Sequence, residues 1–268
     1  VRDGFPACRP IGTEMDFDFS EKEQTISDLS KKIFEDKVTH ERLRTLENSA
    51  NYFDKELWSS LAETGIVGAS IHEEYGGAGL SFLSITALLE LVGEFAPRIP
   101  AMETIVMGAL PIQKYGSSEQ KTEILPKIVS GETLATAALL PSAALTIKEG
   151  LLTGSVDLVP FGLESDFILV PAGEGMYLVD LSQDGVSKSP RETTSGQQQT
   201  LLNFQGVKCD RLGTASVEEI TSWMRLRIDS AICSILSGVC KASLDLAAGY
   251  TKVRQQFNRA IATFQAVS

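Results

Sequence analysis

The sequence predicts an α+β multidomain protein: an N-terminal all-α domain, a central antiparallel β-barrel, and the start of a C-terminal helical bundle. Three observations carry that expectation. Helical spacing and capping boxes dominate the chain up to about Glu132. Short apolar runs separated by glycines fill the stretch from Thr133 to Lys208. After Ser216 an apolar stripe at helical spacing returns. The implied limits are 1–14 for a disordered extension, 15–132 for the helical domain, 133–214 for the β-domain and 215–268 for the first part of the bundle.

The elements follow in order. Ser20-Glu21-Lys22-Glu23 is a capping box, in which a hydroxyl and a carboxylate satisfy orphan amides, and Ile26, Leu29, Ile33 and Phe34 then recur on one helical face. A second helix is expected from Asp54 to Glu63, stopping at Gly65. A third covers Phe82 to Phe95 and ends before Pro97, because the residue preceding a proline is pushed out of the α region. Ser117-Ser118-Glu119-Gln120 opens a further helix toward Ile128. Phe167-Ile168-Leu169-Val170 and Tyr177-Leu178-Val179, with Gly173, Gly175, Gly185 and Gly196 around them, read as short strands. Ile228, Ile232, Ile235, Val239, Ala242 and Leu246 form the stripe of a long helix. Burying its large side chains is worth on the order of 10 kcal/mol. A lone helix cannot do that, so helices outside this chain or a second copy are expected to cover it. Phe264-Gln265-Ala266-Val267 looks like the opening of another helix, which suggests a chain cut off before further bundle helices.

Composition removes several function classes. A net charge of −11 argues against nucleic acid, which requires clustered Lys and Arg. No window approaches the unbroken apolar length of a membrane span, and Val1 to Glu14 lacks the pattern of a secretory signal. Cys8, Cys209, Cys233 and Cys240 show neither CxxC nor zinc-like spacing, and a cytoplasmic setting is expected. His40 and His72 are the only histidines, and neither lies in a recognisable nucleophile setting, which makes hydrolase chemistry unattractive.

Three segments carry a resemblance. Gly65-Ile66-Val67-Gly68 is followed by Glu73-Glu74-Tyr75-Gly76-Gly77-Ala78-Gly79-Leu80. The second runs from Pro111-Ile112-Gln113-Lys114-Tyr115-Gly116 through Glu119-Gln120-Lys121 and Leu125-Pro126-Lys127-Ile128 to Gly131-Glu132. The third is Arg254-Gln255-Gln256-Phe257-Asn258-Arg259, continued by Ile261-Ala262-Thr263-Phe264-Gln265. In this order they resemble the acyl-CoA dehydrogenase family, over roughly Met15 to Ser268. The resemblance implies FAD as cofactor and α,β-desaturation of an acyl-CoA thioester. It also implies an electron-accepting flavoprotein as partner, and a homo- or hetero-oligomer of related subunits.

The same resemblance implies site residues. Arg254 and Gln265 match positions that contact FAD of a neighbouring subunit, a task suited to the donor fork of arginine, and Phe257 would pack beside the cofactor. Read without the likeness, they are a solvated arginine and a core phenylalanine at a helix end. The flavin-facing loop, T-E-P-x-A-G-S-D in the family, corresponds to Leu139-Leu140-Pro141-Ser142-Ala143-Ala144-Leu145-Thr146, so Leu139, Pro141 and Ser142 are candidate contacts. The W-I-T-N segment corresponds to Leu158-Val159-Pro160-Phe161, which puts Pro160 where a hydroxyl is expected. An unsatisfied buried group costs about 1–3 kcal/mol, so weak flavin binding by this chain's own β-domain is anticipated.

No catalytic base is expected within the chain. The resemblance places it beyond Ser268, or at the position of Ile228, which cannot accept a proton, while Asp229 points elsewhere on the helix. Three functions stay open: a complete dehydrogenase, a non-catalytic subunit that completes a partner's FAD site, and a flavin monooxygenase or oxidase on the same scaffold.

Overall fold

A computed structural model describes residues 19–47, 49, 52–139, 145–194 and 196–265. Helix α1 (Glu21–Lys37) starts at the expected capping box: the Ser20 amide donates to Glu23 Oε2 at 3.0 Å, and the Glu23 amide donates to Ser20 Oγ at 3.3 Å. The Ser81 hydroxyl also donates to the Glu23 carboxylate, and Ser81 caps helix α4 (Phe82–Phe95). One carboxylate therefore joins two helix N-termini. Its three donors hold it below the usual range, Ser81 contributing most.

Helix α2 (His40–Glu47) was not expected, since no residue on it is buried and no apolar stripe announces it. Its anchor is electrostatic. Arg42 makes two hydrogen bonds of 2.7 Å to Asp54 and one of 3.1 Å to Glu56. Asp54 in turn caps α3 (Lys55–Glu63) by accepting from the Leu57 amide at 3.0 Å. The predicted stop at Gly65 holds, with φ at 78°. The Tyr75–Gly79 run makes a close backbone approach: a Cβ on Gly77 would lie 2.1 Å from Ile71 O. Helix α4 ends at Ala96, held at φ 49° before Pro97. A π-helix (Met102–Ala109) then runs into α5 (Leu110–Tyr115), and α6 (Ser118–Val129) opens on the expected Ser117–Gln120 box.

The β-region departs from a closed barrel. It has two four-stranded sheets, in the orders β1-β4-β5-β8 and β2-β3-β7-β6. Their strands are β1 (Ala135–Ala137), β2 (Thr146–Lys148), β3 (Leu151–Pro160), β4 (Phe167–Ala172), β5 (Gly175–Asp180), β6 (Val186–Arg191), β7 (Gln199–Lys208) and β8 (Asp210–Arg211). No ladder joins one sheet to the other among the described residues, and the β1–β4 pair is parallel. The reason lies in the packing. Leu152, Val156, Leu202 and Phe204 of one sheet share a buried cluster with Ile168, Val170 and Val179 of the other. The sheets thus bury their inner faces as a sandwich instead of closing edge to edge.

Helix α7 (Val217–Val253) has 37 residues, capped by Ser216, whose Oγ accepts from the Glu219 amide at 3.2 Å. At ~1.5 Å rise per residue it is about 55 Å long. It crosses α4 at two glycines. A Cβ on Gly238 would meet Glu90 O at 1.8 Å, and one on Gly93 would meet Ile235 O at 1.9 Å. Lys241 pairs with Glu94 at 2.6 Å, and the Ser237 hydroxyl donates to Glu90 at 3.2 Å. The expectation that no partner for the stripe lies in this chain is therefore corrected: Ile228 is buried and Ile235 packs on the same core, while Leu246 is 68 % exposed. By length and composition α7 could cross a membrane, its most apolar window averaging a hydropathy of 1.5, which the run-length reading overlooked.

Candidate functional site

Two cavities flank α7. The first, about 410 Å³, lies between Leu139, the β4–β5 turn at Pro171-Ala172-Gly173, and the opening turns of α7, which contribute Glu218, Thr221, Ser222 and Arg225. The second, about 470 Å³, is lined by the end of α4, the segment leading into the π-helix, Phe161, and Ile235 and Val239 of α7. Both volumes fall in the range of small-molecule sites.

The second cavity mixes apolar walls with buried polar groups. Tyr52 packs edge-on to Phe161 with ring centroids 5.5 Å apart, and the Arg98 guanidinium lies 4.4 Å over the Tyr52 ring. Arg98 Nη1 donates to Gly196 O at 3.4 Å. Burial pushes the Tyr52 phenol above its usual range, against the pull of Arg98. Glu103, in the first turn of the π-helix, is 8 % exposed and lines the cavity. Burial raises its carboxyl to about 7, offset only in part by a hydrogen bond from its own backbone. Tyr52, Arg98 and Glu103 were not singled out from sequence. The available signal was the lone charge of Glu103 in the apolar run Met102–Leu110.

The structure divides the residues expected to contact FAD. Arg254, Phe257 and Gln265 gather at the far end of α7. Strands β9 (Gln255–Gln256) and β10 (Arg259–Ala260) form a hairpin whose central residues, Phe257 and Asn258, have φ of 51° and 60°. The Ile261 amide donates to Arg254 O at 2.9 Å, and the Phe257 and Phe264 rings meet at 6.2 Å. Phe257 is 88 % exposed, and Arg254 and Gln265 are exposed as well. Leu139 lies in the first cavity, against the opposite end of α7, roughly 50 Å away by helix rise. Pro160 sits at the end of β3, where its carbonyl accepts from Thr136 Oγ1 at 2.8 Å. Pro141 and Ser142 fall outside the described residues.

The fit to a flavin ring can be tested on these positions. Leu139 and Pro160 offer no side-chain donor, and Pro160 lacks even an amide N–H. The nearby hydroxyl of Thr136 is already engaged by Pro160 O. The described residues at the flavin-facing positions do not fit a ring that needs hydrogen bonds at its polar edge. Ile228, aligned with the alternative base position, is buried among apolar neighbours, and Asp229 is exposed.

Known proteins match this arrangement. The family described as "Acyl-CoA dehydrogenase, N-terminal domain" matches residues 20–132. Acyl-CoA dehydrogenase FadE27 of Mycobacterium tuberculosis is 30% identical over 264 residues, covering 94% of this chain and 71% of that protein. Among solved structures, the Tcur3481-Tcur3483 steroid ACAD superposes with a TM-score of 0.84 at 33% identity, covering 92% of this chain and 71% of that one. The ChsE4-ChsE5 complex from Mycobacterium tuberculosis gives 0.85 at 28% identity, covering 94% and 72%. At that identity and coverage, this chain belongs to the acyl-CoA dehydrogenase family.

Proposed function

We propose that the chain is one subunit of a flavin-dependent acyl-CoA dehydrogenase that introduces an α,β double bond into a bulky acyl-CoA thioester. The observation that carries this reading is the separation of the implied cofactor contacts along α7. Arg254, Phe257 and Gln265 lie at one end and Leu139 at the other, farther apart than one dinucleotide reaches. A complete site therefore takes one end from each of two chains. The two-component ChsE4-ChsE5 complex supports such an assembly, and the steroid ACAD supports a large acyl group. Arg254, Phe257 and Gln265 would hold a FAD whose flavin end lies on a neighbouring chain, and the cofactor would supply the redox chemistry there. The residues of this chain do other work: the cavity beside α4 holds the acyl group dry, and Arg254 meets phosphate oxygens. The base comes from outside residues 1–268, and electrons pass on to an electron-accepting flavoprotein.

A second reading is favoured by Leu139 and Pro160: this chain lends Arg254 and Gln265 to a partner's flavin and binds none in its own β-region. In both readings α7 is the first helix of a bundle, and the chain divides at 15–132, 133–214 and 215–268. Free Cys209, Cys233 and Cys240 suit a reducing cytoplasm. The test is a visible spectrum of the chain purified alone and co-expressed with a homologous subunit. A colourless chain that yields a yellow complex, with flavin lost in Arg254→Ala, supports the second reading. Full flavin in the chain alone supports the first. A complex that keeps its flavin and activity when Arg254→Ala is introduced would remove the assignment of Arg254.

A further inference from the structure

Where α5 meets the first half of α7, aromatic rings and cations cluster, and none of them lines either cavity. The Tyr115 and Trp223 rings pack edge to face, with centroids 5.6 Å apart. One turn along α7, the Arg227 guanidinium lies 3.6 Å over the Trp223 ring, and its Nη1 donates to Trp223 O at 3.2 Å. Lys114 Nζ, from the last turn of α5, is 5.1 Å from the centre of the same ring and 5.3 Å from that of Tyr115. Two positive charges thus share one indole, which holds both in place.

The chain carries 35 Asp and Glu against 24 Lys and Arg, so carboxylates are plentiful. Arg42, Arg191 and Lys241 each find one. Among the described residues Lys114 and Arg227 form no ion pair. Glu219 reaches the cluster but acts on Tyr115, whose phenol is raised by burial first and by that carboxylate second. Burial pushes the Arg227 guanidinium below its usual range, and no carboxylate opposes it. A partly desolvated cation without a counter-ion is unfavourable, and an incoming anion relieves that cost. Arg227 already covers the ring on which a nucleobase would stack, so a nucleotide loses that part of its recognition. Clustered Arg, Trp and Tyr are the residue types that dominate protein interfaces. We propose that Lys114, Tyr115, Trp223 and Arg227 form a docking surface for an acidic segment of a partner protein, whose Asp or Glu carboxylates pair with Lys114 and Arg227. This surface does not depend on the assignment of the acyl or flavin sites.

Trp223 supplies the signal for the test. Of the two tryptophans, Trp58 is 1 % exposed and Trp223 is half-buried, so a ligand on this surface alters the emission of Trp223. The full chain is titrated with hepta-glutamate, hepta-serine and inorganic pyrophosphate at about 0.1 M salt, where the Debye length is about 10 Å and the local cations outweigh the overall negative charge. Hepta-glutamate is expected to give a saturable change, hepta-serine none, and pyrophosphate a weaker affinity than hepta-glutamate. Lys114→Gln combined with Arg227→Gln should weaken hepta-glutamate about tenfold. Lys114→Glu, at an exposed position, should do the same, which keeps the test decisive if the double variant fails to fold. Trp223→Phe should abolish the emission change. No saturable change, an equal response to hepta-serine, an affinity unaltered by Lys114→Glu, or a signal surviving Trp223→Phe would each overturn the inference. Pyrophosphate binding as tightly as hepta-glutamate or tighter would also overturn it, because the surface would then take phosphate.

Discussion

Both halves of α7 carry apolar residues at helical spacing, and only the first buries one face of them. From Ile220 to Gly238 the helix buries Ile220, Met224, Ile228 and Ala231 against the helical layer, and its glycine touches backbone. From Leu244 to Val253 it is apolar and bare, with Leu244, Leu246, Tyr250 and Val253 all more than half exposed. A helix stripe records that a face is to be covered and does not record by what. The difference is set by α4, whose small residue Gly93 lets one half come to backbone contact and whose end at Ala96 leaves the other without a helix packed along it among the described residues.

The sharpest way to break this comparison is to make one substitution in each half. Gly238→Ala forces a methyl into Glu90 O and must push the helices apart, at an expected cost of about 4 kcal/mol. Gly249→Ala meets nothing within 4 Å and should stabilise by up to about 1 kcal/mol through helix propensity. Urea unfolding of the two variants decides it; similar midpoints would mean that the crossing is not packed as described.

A somewhat smaller effect comes from the buried carboxyl of the π-helix, which lines the second cavity together with Ile235 and Val239 of α7. Glu103 stays protonated in the folded chain up to about 7, whereas its usual value is 4.5. Below 4.5 both states are neutral and nothing is lost. As pH rises, the unfolded chain releases its proton first, so folding stability falls until the folded carboxyl ionises as well. Relative to Glu103→Gln, the unaltered protein should lose on the order of 3 kcal/mol between pH 4.5 and 8. Thermal melts of both proteins across that range measure it, and parallel curves would contradict the raised value.

Much of the fold was legible because its cues are local. The Ser20 and Ser117 boxes, the Asp54 cap, the Gly65 stop and the Pro97 limit each depend on residues within a turn of one another. Helix α2 was not, because Arg42 reaches across to Asp54 and Glu56, and no periodicity encodes an ion pair. The π-helix was missed for a related reason: its sequence is an ordinary apolar run. The barrel expectation failed because alternating strands specify buried faces and leave open whether edges meet. At the site, Leu139 and Pro160 lack polar side-chain groups by residue type alone, which sequence reads directly. Glu103, Arg98 and Tyr52 escaped because they converge only through the turn after α4 and the end of β3.

Beside the crossing, Lys241 Nζ lies 2.6 Å from Glu94, with side chains 46% and 16% exposed. The hydrogen bond to Glu94 raises the lysine above its usual value. Water screens so open a pair, and Lys241→Met should cost about 0.5 kcal/mol, less at high salt. A loss of several kcal/mol, unchanged by salt, would assign the crossing's stability to charge instead of to close packing at Gly93 and Gly238.

The smallest effect on folding is expected in the bare half, where it comes with the clearest change in behaviour. Leu244, Leu246, Tyr250 and Val253 contact too little of the core for polar replacement to matter, so Leu246→Ser with Val253→Ser should leave the unfolding midpoint within about 0.5 kcal/mol. The same face is a large exposed apolar patch, and such patches drive association. Sedimentation of this 268-residue chain should therefore show concentration-dependent self-association that the double variant reduces. If the chain sediments as a single monomeric species at every concentration, the patch does not need a cover. If the double variant instead unfolds the chain, the bare half is packed after all, and the contrast between the two ends of α7 disappears.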